Sequence, residues 1–409
     1  MISNIKYKIL NIKLLGIGYL TLVIGLFLYS FTQVDLNLTL SQWPPLVVLQ
    51  NYFQNIGYYQ RPLSTYLYFI IILFLYLFYF IFLYLARIGK IRRIWILIIA
   101  TTIILTFSYN AFSYDLFNYI FDAKIVTFYQ QNPYLQKALD YAGDPMLSFM
   151  RWTHRAYPYG PTWLGLTIPL SFVGFNVFLP TLYLFKALIA ASFLGTAYFL
   201  KKIIDYSKIQ NAWYGISLFA LNPLVLIESV VSAHNDIVMM FFTVLALYLL
   251  LTKRYIFSFT FLAVSIGIKF ATILLLPVFI YIAIMQLKNK TIDFKRIFMI
   301  IFILMCLGVA IASLVSGANK NPELQPWYFL MVLPFAALIA QKRIVVLLTI
   351  CVSFGMLFSY IPFLLTGEWP KDIVELKVKL LTLSIALGVI LYILSSKRLL
   401  SFIKHLFST

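Results

Sequence analysis

Continuous apolar runs of about 20 residues recur along most of this chain, and they constrain its fold more than any other feature. Hydrophobic residues make up 62% of the 409 positions and charged residues only 11%. A soluble fold could not bury that much apolar surface. Apolar and polar residues do not alternate within the runs, as they would in a transmembrane barrel. The sequence therefore predicts an all-α polytopic membrane protein.

The runs predict about 12 transmembrane helices, within a range of about 11 to 13. The predicted crossings lie near residues 13–32, 63–86, 94–110, 178–200, 210–228, 236–252, 255–268, 270–286, 297–316, 326–341, 344–366 and 375–396. Residues 162–175 are also apolar, and we expect a short helix that enters the outer leaflet and returns. We found no internal repeat and no soluble domain, so residues 1–409 are predicted to form one membrane domain.

The formal net charge of +19 comes from basic residues that gather in short loops between the apolar runs. These loops lie near residues 87–93, 201–208, 253–254, 288–296, 342–343 and 397–404. This pattern is typical of cytoplasmic loops, so it predicts that both termini are cytoplasmic and argues against a nucleic-acid partner. Most carboxylates fall in the opposite loops. We therefore expect an extracytoplasmic active site.

A polar loop at about 111–161 is the main candidate for that site. Asp115 and Asp122 are seven residues apart and would share one face of a helix, with Tyr119 between them. The opposite stripe consists of Phe117, Phe121, Ile125 and Phe128. This pattern predicts a juxtamembrane helix at the outer interface, with its apolar side toward lipid and its carboxylates toward the loop. A solvated polar face, with Asp115 favoured by the helix N-terminus, is the alternative.

Arg151, His154 and Arg155 form a second cluster in the same loop. Their spacing would place two permanent cations and an imidazole on one helical face. Arginine binds phosphate oxygens bidentately, so the cluster suits a phosphate or pyrophosphate group. Anionic lipid headgroups are the alternative partner.

Further polar residues interrupt later apolar runs. His234, Asn235 and Asp236 precede a predicted helix, with Glu228 shortly before them, and Asp236 could simply cap that helix. Lys269 lies among apolar neighbours, where an ionisable residue is a functional candidate. Lys186 is similar but is expected to lie nearer a helix end. The three histidines are scattered and no phosphate-binding glycine loop is present, so we predict no metal site and no soluble-type nucleotide-sugar site.

An ordered series of motifs resembles a known family. In chain order it comprises Tyr114-Asp115-Leu116, Asn132-Pro133-Tyr134, Tyr157-Pro158-Tyr159-Gly160-Pro161, Leu221-Asn222-Pro223-Leu224, His234-Asn235-Asp236, Lys269 with Leu276-Pro277, and Gln325-Pro326-Trp327-Tyr328. The series is similar to that of GT-C fold glycosyltransferases, and most similar to the polyprenyl-phosphate-mannose-dependent mannosyltransferases. Members often carry Tyr-Pro-Pro where this chain has Tyr159-Gly160-Pro161.

The resemblance implies an inverting hexosyltransferase that moves a sugar, with mannose favoured, from a polyprenyl-phosphate donor to an acceptor hydroxyl. The acceptor would be a glycan, a lipid or a protein, and no metal, nucleotide or other cofactor is implied. For that chemistry we expect Asp115 to be the general base. The cations expected to stabilise the leaving phosphate are Lys269, Arg151 and Arg155. The residues expected to contact sugar or acceptor are Asp122, Tyr119, His154, Tyr159, His234, Asn235, Asp236, Trp327 and Tyr328.

Two other functions fit parts of the pattern. An oligosaccharide polymerase or ligase with a diphospholipid donor would also need outward arginine and histidine, but not an aspartate directly after a membrane helix. A flippase or transporter of lipid-linked sugars would carry polar residues near the middle of several helices. The polar residues here concentrate at the outer edge, which favours the glycosyltransferase.

Overall fold

The computed structural model describes residues 12–91, 94–315 and 323–395. It is 76% helical and has no strand within these ranges, which confirms the predicted all-α class. The chain is an integral membrane protein. The predicted cytoplasmic positions 92–93 and 397–404 lie outside the described residues. The side of the membrane on which the loops lie stays a prediction.

The helices are numbered here in chain order. The N-terminal part contains α1 (Ile12–Ser30), α2 (Pro44–Gln54), α3 (Arg61–Arg87), α4 (Ile94–Thr106), α5 (Asp115–Thr127), α6 (Pro161–Val173) and α7 (Phe178–Ser207). The middle contains α8 (Ala212–Ala220), α9 (Pro223–Val225) with its π-helical continuation Leu226–Val231, α10 (Asp236–Leu251), α11 (Tyr255–Ile266), α12 (Leu276–Leu287) and α13 (Phe294–Val315). The last part contains α14 (Leu333–Leu338), α15 (Arg343–Leu357), α16 (Ile361–Thr366) and α17 (Ile373–Leu394).

Seven helical segments in the described ranges are long and apolar enough to cross a membrane, so the predicted count of about 12 is not confirmed. They are Ile12–Gln33, Arg61–Arg87, Phe178–Ser207, Phe270–Leu287, Phe294–Val315, Arg343–Thr366 and Ile373–Leu394. Helix α8 and the segment Pro223–Val231 would form an eighth span, bent by 52°.

The difference arises because several predicted crossings are too short. Helix α10 has 16 residues and α11 has 12. At about 1.5 Å of rise per residue, these helices reach about 24 and 18 Å, less than the roughly 30 Å of the hydrocarbon core. Helix α4 and the segment Pro326–Leu338 are likewise short. Breaks in these apolar runs place loops and polar residues inside the protein.

Residues 215–240 are buried without exception and form the centre of the fold. This stretch includes the bend between α8 and α9, the π-helical segment and the start of α10. Helix α10 packs against both α7 and α11. The polar turn before α10 is therefore surrounded by helices rather than exposed at the surface.

The polar loop forms a compact cover beside α5 and α6. Antiparallel pairing of Lys137 with Ala156 joins its two halves. Asp144 bonds Lys124 of α5 and accepts a hydrogen bond of 2.7 Å from the Tyr129 hydroxyl. Residues 161–173 form a short helix followed by a tight turn into α7. Whether that helix re-enters the outer leaflet stays a prediction.

Candidate active site

Asp115 begins helix α5 and lies in the interior of the protein. Its backbone N–H donates to the Ser113 hydroxyl at 3.1 Å, and a carboxylate at this position is favoured by the helix dipole. The neighbours Leu116 and Phe117 are fully buried, as are Tyr119, Ile120 and Phe121 to within 2%. The prediction that the apolar side of this helix faces lipid is therefore wrong, because Phe117, Phe121 and Ile125 are buried within the protein and Phe128 lies beyond the helix end. The polar loop and α6 pack against α5, and the position of this helix at the outer interface stays a prediction.

His234 lies between two carboxylates. Its Nδ1 is 3.6 Å from Oδ2 of Asp115, and its Nε2 is 3.3 Å from Oε2 of Glu228. The imidazole stacks on the Trp327 indole, with ring centroids 4.1 Å apart and planes inclined by 17°. The histidine and Glu228 are completely buried. The sequence placed His234 and Trp327 in one site, and the structure brings them together.

The charges around this histidine determine which groups are ionised. Burial alone would lower the pKa of His234, but Asp115 and Glu228 outweigh it and raise the pKa to about 9. Burial alone would raise the pKa of Asp115. His234, Arg155 and Lys269 outweigh that effect and hold the pKa below its ordinary value. At neutral pH, His234 is therefore an imidazolium and Asp115 a carboxylate that can accept a proton.

Asp122, two turns further along α5, has the opposite tendency. Burial raises its pKa to about 8, with a further increase from Asp115 and an opposing effect of Arg155. Its carboxyl group is thus largely protonated at neutral pH and can donate a hydrogen bond. Two carboxyl groups with pKa values shifted in opposite directions are typical of a site that divides proton-accepting and proton-donating roles.

Lys269 lies at the break between α11 and α12, where its backbone is extended. Its ammonium contacts Oδ2 of Asp236 at 2.6 Å and lies 5.5 Å from the centre of the Tyr159 ring. The Tyr159 ring in turn meets Tyr119 edge to face at 5.2 Å. Asn235 occupies the cap position of α10, so the expectation that Asp236 is the cap is wrong. As the first helical residue, Asp236 is free to pair with Lys269.

Gly160 brings this lysine segment against the polar loop. The Gly160 N–H donates to the Ile268 carbonyl at 3.1 Å, and the Thr162 N–H donates to the Gly267 carbonyl at 3.0 Å. A Cβ on Gly160 would lie 2.1 Å from the Gly267 oxygen. Proline has no N–H and cannot make this contact. Glycine therefore fits this position, and neither a residue with a side chain nor proline would.

Arg151, His154 and Arg155 do not share a helical face, so that prediction is wrong. Trp152 has a left-handed backbone (φ 57°), which interrupts a helix, and the segment 151–155 is a turn. Arg151 lies 3.7 Å from the Asp35 carboxylate and is exposed. Arg155 stacks over Trp152 at 5.3 Å, and His154 is exposed. Of the three, Arg155 is the one whose charge acts on Asp115.

Lys186 links the two segments that carry Asp115 and His234. Its buried ammonium donates to the Ser108 carbonyl at 2.6 Å, to the Ser108 hydroxyl at 3.1 Å and to the Val231 carbonyl at 3.3 Å. Ser108 precedes Asp115 by seven residues, and Val231 precedes His234 by three. The lysine thus stabilises the relative position of the two segments, a role that its predicted place near a helix end did not suggest.

Two residues of this site were not assigned from the sequence. Glu228 contacts His234, and the Tyr360 hydroxyl donates to Oε1 of Glu228 at 2.7 Å. Glu228 could have been assigned from the sequence, because an ionisable residue in an apolar run indicates a functional position. Tyr360 is one of 29 tyrosines, and nothing in the sequence distinguishes it from the others. Tyr328, in contrast, was assigned and is buried beside Trp327, with ring centroids 5.9 Å apart.

Comparison with known proteins identifies the family. The family model described as alpha-(1->6)-mannopyranosyltransferase, N-terminal domain (MptA/B family) matches residues 17–285, about two thirds of the chain. The match includes Asp115, His234 and Lys269. No curated protein and no solved structure matches the chain. The resemblance found in the sequence is thus confirmed: the chain belongs to the MptA/B family of GT-C mannosyltransferases.

Proposed function

We propose that this mannosyltransferase moves mannose from a polyprenyl-phosphate donor to an acceptor hydroxyl at the extracytoplasmic face, with inversion at the anomeric carbon. The observation that carries the proposal is the buried, ionised carboxylate of Asp115 at the start of α5, with the positive charges of His234, Lys269 and Arg155 around it. Such a transfer requires a base that accepts the proton of the acceptor hydroxyl and positive charges that stabilise the leaving phosphate.

In the proposed step, the acceptor oxygen attacks C1 of mannose while Asp115 takes its proton. The bond between C1 and the phosphate oxygen breaks, and the polyprenyl phosphate leaves with one additional negative charge. Phosphate is already a good leaving group, so the protein needs to supply only the base and stabilisation of that charge. Inversion of a β-linked donor gives an α-linked product, in agreement with the α-(1→6) linkage in the family description.

Lys269 and Arg155 are the cations that we assign to the leaving phosphate. One ammonium hydrogen of Lys269 serves Asp236, which leaves the others for phosphate oxygens. The Lys269 side chain is 22% exposed, so a ligand can reach it. Arg155 is exposed and can change rotamer to bind an anion. Arg151 is a weaker candidate because it contacts Asp35.

Buried polar atoms beside these groups suit the sugar hydroxyls. Within the described residues, both side-chain polar atoms of Asn235, Oδ1 of Asp236 and the Tyr119 hydroxyl have no hydrogen-bond partner. Buried polar atoms are seldom left without partners unless water or a ligand completes them. Asp122, in its protonated form, adds a hydrogen-bond donor. The isoprenoid chain would lie against the surrounding lipid-facing helices.

Sugar transfer by the purified protein in nanodiscs tests the proposal. The donors are a panel of radiolabelled polyprenyl-phosphate sugars and GDP-mannose, offered with a crude membrane acceptor. We expect turnover of polyprenyl-phosphate mannose and a loss of at least about 100-fold in Asp115→Asn. Asp140→Asn is the matched control, since Asp140 is an exposed carboxylate in the same loop, and it should retain activity.

Each remaining outcome contradicts a defined part of the proposal. Consumption of GDP-mannose alone would show that the donor is a nucleotide sugar. Equal activity of wild type and a folded Asp115→Asn variant would exclude Asp115 as the base. Movement of labelled lipid across the bilayer without sugar transfer would favour transport.

A further inference from the structure

Glu228 is a buried carboxylate that the proposed reaction does not use. Its Oε1 accepts the Tyr360 hydroxyl at 2.7 Å, and its Oε2 lies 3.3 Å from Nε2 of His234. Within the described residues, Oε2 has no hydrogen-bond donor, and its ion-pair contact is the imidazole. Burying an ionised carboxylate costs free energy of folding unless a positive charge compensates it.

The backbone around Glu228 is unusual in the same place. Residues Leu226–Val231 form a π-helical turn within a buried segment. The His234 N–H bonds back to the Glu228 carbonyl at 3.1 Å, and Ala233 between them has a left-handed backbone (φ 58°). π-helical turns and left-handed residues other than glycine occur preferentially at functional sites. Here they fold the chain so that the glutamate faces the histidine six residues later.

The flanking carboxylates define the state of the imidazole ring. A neutral histidine has an N–H at one nitrogen only, whereas an imidazolium has one at both. Glu228 lies 3.3 Å from Nε2 and Asp115 lies 3.6 Å from Nδ1, and within the described residues neither nitrogen makes a hydrogen bond. The two carboxylates therefore favour the imidazolium through its positive charge. Other charged groups lie farther from the imidazole. Arg155 and Lys269 act on Asp115, and Lys377 acts on Glu228. Asp236 lies two residues beyond His234 in the chain. Stacking on Trp327 fixes the plane of the ring.

We propose that Glu228, held by Tyr360, is a positioning residue that keeps His234 protonated beside the carboxylate of Asp115. Asp115, His234 and Glu228 together then carry a net charge of −1 before Asp115 takes the acceptor proton, and zero afterwards. Asp115 is thereby held ionised and in one orientation. The effect of Glu228 on turnover rests on the proposed function, whereas its effect on the protonation of His234 does not.

Nitrogen NMR of histidine in nanodiscs tests the protonation directly. The chain contains three histidines, His154, His234 and His405, so ¹⁵N-histidine labelling gives three ring systems. Single substitutions His154→Gln and His405→Gln assign them. At pH 7.5 we expect both ring nitrogens of His234 to be protonated in wild type. In Glu228→Gln, which removes the charge but keeps the shape, the titration of His234 should move down by at least about one pH unit.

Two further variants distinguish the effect of the lost charge from misfolding of Glu228→Gln. Tyr360→Phe removes one hydrogen bond and leaves the charge, so it should move the titration in the same direction by less. Glu228→Asp retains the charge and should restore part of the shift. A His234 that is neutral at pH 7.5 in wild type, or a titration unaltered in folded Glu228→Gln, would overturn the proposal.

Kinetics separates this proposal from the proposed function. If the protein transfers mannose, Glu228→Gln should lower kcat roughly tenfold or more with little change in KM for the donor, because the residue does not touch the donor. An unchanged kcat alongside a shifted titration would overturn the positioning role. If no transfer occurs in any variant while the titration shifts as expected, the proposed reaction fails and the assignment of Glu228 to His234 stands.

Discussion

Replacing Lys269 with methionine should destabilise the protein substantially, because the substitution leaves the Asp236 carboxylate buried without its counter-ion. The ammonium and carboxylate are 2.6 Å apart, and the side chains are 22% and 1% exposed. Methionine matches the apolar part of the lysine side chain and lacks only the terminal ammonium. The change therefore removes the charge with little effect on packing.

The magnitude follows from the burial of the pair. At an effective dielectric constant of about 20, two unit charges at this distance attract by about 6 kcal/mol. Removing Lys269 also removes the cost of desolvating its ammonium, so the loss is smaller than the attraction. Breaking one partner of a buried pair costs about 3–5 kcal/mol. Neutralising both partners in Lys269→Met/Asp236→Asn should restore most of this loss, since no buried charge remains.

Denaturant unfolding followed at one thiol measures these free energies. The chain has two cysteines, of which Cys306 is exposed and Cys351 is buried. In a Cys306→Ser background, a thiol-reactive dye labels Cys351 only when the protein opens, and the labelled fraction gives the unfolding midpoint. The matched control is Lys379→Met, which breaks an ion pair with Glu375 of the same 2.6 Å length on the exposed surface. It should leave the midpoint unchanged.

Two results would refute this reasoning. Unfolding of Lys269→Met at the wild-type midpoint would show that water or another cation compensates Asp236. A double variant less stable than Lys269→Met would show that Asp236 stabilises the fold through contacts other than the ion pair. Activity of each variant is measured separately, because Lys269 is also assigned to the donor phosphate.

Two further predictions concern the same site. Gly160→Ala should lower activity in the transfer assay by about 100-fold, because the new Cβ would lie 2.1 Å from the Gly267 oxygen and displace the segment that carries Lys269. The control Gly165→Ala, whose Cβ meets nothing within 4 Å, should retain activity in the same assay. Asp122 has a pKa raised to about 8 in the folded protein, so its stabilising contribution is complete below about pH 4 and is lost as pH rises through 8. Unfolding midpoints measured from pH 5 to 9 should therefore decline less in Asp122→Asn than in wild type, and parallel curves would contradict the assigned burial.

The sequence by itself determined the fold class and the family. Apolar runs of spanning length require helices because a backbone in lipid must satisfy its own hydrogen bonds. The order of the motifs identified the GT-C resemblance, and the seven-residue spacing of Asp115 and Asp122 correctly predicted a helix. These features are local: they depend on periodicity and on chain order, and both can be read directly from the printed residues.

Only the tertiary structure decided which apolar runs are long enough to cross the membrane and which charged groups meet. The sequence predicted separate crossings at 255–268 and 270–286, but the structure shows that α11 has only 12 residues and is too short to span. The turn at Trp152 depends on neighbouring segments, so periodicity predicted a cationic helix face instead. Glu228 and His234 are six residues apart, but Tyr360 reaches Glu228 from 132 residues away. Such contacts depend on how the helices pack, and packing is a property of the whole chain rather than of any one segment.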